Sequence, residues 1–102
     1  MSATRFIVTK QASDRKLILA VCDSSIYGKK FEDDKAMLDL GSKFYHGEEK
    51  DAKQTSELME RAYIINAAGK EAVALVVKLG LATTDDVKKI AGVEHVQVLM
   101  MS

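Results

Sequence analysis

The sequence predicts a small α+β domain. An N-terminal hairpin and a C-terminal strand form a mostly antiparallel sheet, packed on one face by two helices or one kinked helix. Three observations predict it. β-Branched and apolar runs crowd the first quarter of the chain, apolar spacings of three and four take over from Gln54, and an alternating segment, Val96 to Met100, closes it. Strands first, helices next and a strand last is the order of a sheet with helices laid against one face. A chain of 102 residues fits one domain spanning 1–102.

The elements follow in order. Phe6-Ile7-Val8-Thr9 is a short β-branched and aromatic run, and Leu17 to Cys22 is an unbroken apolar run. With Gln11 to Asp14 as a polar connector, the two read as a hairpin whose second strand is buried on both faces. Asp23-Ser24-Ser25 ends that strand with short polar side chains that stabilise turns, and Gly28-Lys29-Lys30 reads as a loop tip. Ala36 to Leu40 is a third, shorter strand closed by Gly41, and residues 44–50 are irregular with two aromatics, so they pack.

From Leu58 an apolar stripe runs through Ala62, Ile65, Gly69, Ala72 or Val73, Val76 and Leu79. Asp51 or Thr55 caps its start, Asn66 to Gly69 interrupts it, and Gly80 stops it. Thr84 to Ile90 reads either as a short helix, with acids leading and lysines trailing, or as a strand. Val96 to Met100 joins the sheet of the N-terminal hairpin.

Composition narrows the function. Lys plus Arg equal Asp plus Glu at 15 each, so bulk charge does not drive nucleic-acid binding. The charge is nevertheless uneven: net +4 over residues 1–30, −5 over 31–60 and +1 over 61–102. One cysteine excludes an internal disulfide and any zinc site of several cysteines from one chain. The longest apolar runs have six residues, against about twenty for a membrane-spanning helix. With no signal-peptide pattern, a cytoplasmic location is expected.

Few residues offer chemistry. Cys22 reads as a small core residue, because neither His46 nor His95 is near it in sequence to act as a base. Cys22, His46, His95 and Glu48 lack the close ligand pairs of a zinc site. No glycine-rich phosphate loop or nucleophile elbow is present, and no cofactor is expected. Tyr27 beside Lys29 and Lys30, and Lys43 beside Phe44 and Tyr45, place rings next to cations as single-stranded RNA binding requires. His95 and Gln97, two apart on a strand, share a face and offer a donor and acceptor pair.

Taken together, these segments resemble an archaeal domain of unknown function, family 424. The resemblance rests on Leu19-Ala20-Val21-Cys22-Asp23, Gly28-Lys29-x-Phe31, Phe44-Tyr45-x-Gly47-Glu48, Asn66-x-x-Gly69-Lys70-x-Ala72-Val73, Leu79-Gly80-Leu81 and Gly92-Val93-x-His95-x-Gln97. It spans about residues 15–99 in order. Where the family shows Pro-His-Ala-Gln, this chain has Glu94-His95-Val96-Gln97. The resemblance implies a strand at Val87 to Ile90 and a small cytoplasmic archaeal protein, and it brings no activity with it.

Three readings result. The first is a non-enzymatic binding module that contacts RNA or a translation-associated protein. The second is a small enzyme or ligand-binding protein with a pocket lined by Cys22, Asp23, Tyr45, Asn66 and His95. The third is a homo-oligomeric subunit pairing through the C-terminal run Val98 to Met101. The candidate binding residues across these readings are Cys22, Asp23, Lys29, Tyr45, Asn66, Lys70, His95 and Gln97, with no catalytic or metal-ligating residue assigned.

Overall fold

The computed structural model describes residues 5–100, and the architecture is α+β as expected. Strands β1 (Arg5–Ser13), β2 (Lys16–Asp23), β5 (Glu48–Asp51), β6 (Ile64–Ala68), β7 (Lys88–Ile90) and β8 (Val93–Leu99) form one sheet in the order β5-β1-β2-β6-β8-β7. Every pairing is antiparallel except β2 with β6. Strands β3 (Lys30–Glu32) and β4 (Met37–Asp39) make a separate hairpin. The helices are α1 (Ala52–Arg61) and α2 (Lys70–Lys78). Neither is long and apolar enough to cross a membrane.

The pleat sorts side chains into two layers. Phe6, Val8, Leu19, Val21, Ile65, Ala67, Val96 and Val98 meet Met59 of α1 and Ala72, Val73 and Val76 of α2. On the other face Ala20, Cys22 and Ala68 lie beneath Leu38, Leu40 and Tyr45. β2 is thus buried on both faces, which is why its sequence is an apolar run rather than an alternation.

Several local expectations need correction. Gln11 to Ser13 is strand, not connector, and the hairpin turns on Asp14 (φ 51°) and Arg15 (φ 65°) alone. Those strand residues are exposed, so no apolar signal marked them. Lys30 opens β3 rather than capping a loop tip. The strand expected at Ala36 to Leu40 is β4, and it pairs with β3 rather than with the main sheet. Within the irregular stretch, Lys43–Tyr45 is a 3₁₀ turn and Glu48–Asp51 a strand.

The stripe from Leu58 to Leu79 is two helices with β6 between them. Ala62, Ile65 and Gly69 have helical spacing by coincidence. Alanines on both sides of β6 blurred its two-residue alternation. Asp51 caps α1, accepting from the Gln54 N–H at 2.8 Å, while Gln54 Oε1 accepts from the Asp51 N–H at 3.2 Å. Gly80, at φ 76°, follows the end of α2 as expected. Thr84–Asp86 is a single 3₁₀ turn and Lys88–Ile90 a strand, so the family-derived expectation holds there. β8 reaches the hairpin only through β6.

Gly47 fixes where β5 can approach. A Cβ there would overlap the Val8 carbonyl oxygen of the neighbouring strand. Gly47→Ala is therefore expected to lower stability by about 2 kcal/mol, as an overpacked site does. Urea unfolding measures this, and a variant as stable as the parent would contradict the close approach.

Candidate functional site

The eight residues singled out from sequence fall into separate places. Asp23 ends β2 and is buried. Its carboxylate accepts from the Glu71 N–H at 3.0 Å and the Ala72 N–H at 2.7 Å, so it closes the N-terminus of α2 across 48 positions of chain. The expected local turn bond at Asp23 is instead this distant one. Gly69 permits it: at φ 105°, a Cβ would sit 2.5 Å from Asp23 Cγ. Burial lifts the Asp23 carboxyl above its ordinary range, and the two N–H donors pull it partly back. The amides an external anion would use here already hold this side chain. Lys70 is exposed on the first turn of α2.

Cys22 and Tyr45 belong to the core. Cys22 is fully buried, and burial together with the Asp23 charge pushes its thiol up to about 12. Burial likewise takes the Tyr45 hydroxyl to about 12. A thiol that resists ionisation is no nucleophile. Cys22, Ala68 and His95 form one row across β2, β6 and β8, which sets Cys22 and His95 two strands, about 10 Å, apart. Leu38, Leu40 and Tyr45 cover the Cys22 end, leaving no shared pocket. Among the described residues no three His, Cys, Asp or Glu side chains gather as metal ligands. Lys29 is exposed beside the small hairpin, with its carbonyl accepting from the Leu40 N–H at 2.8 Å.

Three of the eight do come together. Asn66 lies opposite Gln97, and His95 shares their face two residues along β8. Gln97 and His95 line an open cleft of about 530 Å³ with Lys88, Asp86, Ile64 and Leu99. Burial, and then the Lys88 charge, hold the His95 ring below its usual 6.5.

The ring-and-lysine loops expected to meet RNA use their rings differently. Tyr45 is buried, and Phe44 packs edge-on against it at 5.2 Å and 87°. The Tyr27 hydroxyl and His46 Nδ1 share a hydrogen bond of 2.8 Å. The structure builds another basic and aromatic site from residues that sequence reasoning missed. Arg15, Lys16, Arg61 and Tyr63 line an open cleft of about 610 Å³ with Leu17, Glu60, Ala62 and Met100. Lys16 Nζ stands 4.3 Å from the Tyr63 ring centroid. The Tyr63 backbone is pinned on both sides: its N–H donates to the Leu17 carbonyl at 2.8 Å, and its carbonyl accepts from the Met100 N–H at 2.7 Å. Arg15-Lys16 and Arg61-x-Tyr63 are about 45 positions apart, so only the parallel pairing of β2 with β6 unites them.

The His95 environment has a sign. With its folded pKa below 6.5, the unfolded chain binds the proton more readily. The stabilising contribution of His95 is thus present above pH 6.5 and fades as the pH falls through the folded value. An NMR titration is expected to show His95 ionising below 6.5, with Lys88→Met moving it upward. An unshifted ring in the parent would contradict the burial.

The chain is similar to an uncharacterized conserved protein from Methanopyrus kandleri, known from a crystal structure. The two share 28% identity and a TM-score of 0.76, over 96% of this chain and 95% of that one. No curated protein matches. Residues 11–101 match the family described as protein of unknown function (DUF424). Nearly the whole fold lies within that match, and the chain belongs to this family.

Proposed function

We propose that the protein is a non-catalytic binding module that contacts single-stranded RNA in the cytoplasm through the cleft of Arg15, Lys16, Arg61 and Tyr63. One observation carries the reading: three cations share an open cleft with a tyrosine, one of them, Lys16, 4.3 Å from its ring, and the tyrosine backbone is hydrogen-bonded on both sides. Cations neutralise phosphates, and an aromatic face accepts any base, so the pair supplies affinity without sequence preference. The balanced overall charge is no obstacle, because the cleft concentrates three cations against the single carboxylate of Glu60.

The hairpin turn supports this. Its two left-handed positions hold Asp14 and Arg15, where Asn-Gly or Asp-Gly is the usual choice. A non-glycine residue there costs roughly 1 kcal/mol. Arg15, at the second of these positions, is one of the residues that line the cleft.

Fluorescence anisotropy with a labelled oligouridylate, read across a salt series, tests the proposal. The parent is expected to bind at low salt. Arg15→Ala with Arg61→Ala should weaken binding at least tenfold and flatten the logarithmic salt slope by about 1.4, at roughly 0.7 per lost phosphate contact on a single strand. Tyr63→Leu should weaken binding about fivefold or more while leaving the slope unchanged, since a lost base stack is worth about 1–3 kcal/mol. No binding at low salt, or binding indifferent to these variants, would overturn it.

A further inference from the structure

Both outermost strands of the sheet are guarded. β5 reads Glu48-Glu49-Lys50-Asp51, and β7 opens with Lys88-Lys89. Short, charged edges are how sheets avoid pairing with other chains. A third edge lacks that protection. β7 accompanies β8 only as far as Lys88 opposite His95, so β8 runs on alone through Val96, Gln97, Val98 and Leu99, none of them charged.

The hydrogen bonds show which groups of this stretch are free. The Glu94 carbonyl accepts from the Gly69 N–H at 2.8 Å, and the Met100 N–H donates to the Tyr63 carbonyl at 2.7 Å. Backbone groups alternate sides along an antiparallel strand, so the even residues of β8 turn towards β6 and the odd ones outward. Val93 and His95 meet Ile90 and Lys88 of β7. Beyond them, Gln97 and Leu99 each present an N–H and a carbonyl outward with no partner among the described residues. They border the cleft of about 530 Å³, beside a Leu99 side chain that is 55% exposed.

We propose that the outer edge of Val96–Leu99 docks an extended segment of a partner protein, added as a short antiparallel strand in line with β7. The surroundings specify its chemistry. The residue opposite Leu99 is apolar and covers that side chain. Two positions on, the residue opposite Gln97 is acidic and stands in line with Lys88. Lys88 forms no ion pair among the described residues, whereas Asp86 across the cleft already accepts from the Thr83 N–H at 2.9 Å and the Thr83 hydroxyl at 3.2 Å. A second folded copy fits less well. Four residues offer only about 13 Å of edge, while stable interfaces between folded subunits bury roughly 800 Å² on each partner.

The test is residue-resolved amide exchange by NMR on the whole chain, with and without the peptide acetyl-Thr-Val-Thr-Asp-Thr-Ser-amide. In the free protein Val96 and Val98 should exchange slowly, and Gln97 and Leu99 at least about tenfold faster. Saturating peptide should slow Gln97 and Leu99 alone. The same peptide with Lys for Asp should have no effect, and Lys88→Glu should abolish the response without changing the free pattern. Gln97 and Leu99 amides protected at every protein concentration would overturn the proposal. Protection that grows with protein concentration would assign the edge to a second copy and overturn it too, as would fast amides that ignore millimolar peptide or respond equally to both peptides.

Discussion

The fold depends on the parallel pairing of β2 with β6, and that pairing is locked at one end by a buried carboxylate. Asp23 finishes β2 and grips the first N–H groups of α2, while Gly69, between β6 and α2, lets the carboxylate come close. A buried carboxylate is tolerated only when it is hydrogen-bonded, and here two amides of a helix terminus hold it. The contact fixes where β6 ends and where α2 begins. It also sets the register that places Leu17 beside Tyr63 and Ala20 beside Asn66.

From that register the molecule divides into a closed end and an open end. Near Asp23 the second sheet face is roofed by the β3–β4 hairpin and the 3₁₀ turns Ser24–Ile26 and Lys43–Tyr45, and Cys22 and Tyr45 are buried there. At the opposite end the hairpin turn, the end of α1 and the start of β6 surround the basic cleft. The residues with chemical potential in isolation are locked into the roofed end. The cations of the basic cleft and the unpaired strand edge lie away from it.

Much of this was legible from sequence, for reasons particular residues show. β2 announced itself because burial on both faces demands an unbroken apolar run. The Asp51 cap and the Gly80 stop were legible because backbone chemistry selects those residue types locally. His95 and Gln97 on one face followed from strand parity alone. β6 was hidden because alanine carries little periodic signal on either face. The basic cleft was hidden for a different reason. Arg15, Lys16, Arg61 and Tyr63 are ordinary surface residues until a parallel crossover brings their segments together, and no local pattern encodes that crossover. The rings of Tyr27 and Tyr45 misled in the opposite sense, since aromatic residues beside lysines serve packing as readily as stacking.

RNA is proposed to meet the open end of the sheet. A two-dimensional NMR titration of the labelled chain with oligouridylate tests it most directly. Shifts are expected to cluster on Arg15, Lys16, Arg61 and Tyr63 and saturate together, with the roofed end around Tyr27, Lys29 and Phe44 unmoved. Shifts centred on that roofed end, or none at all, would contradict it.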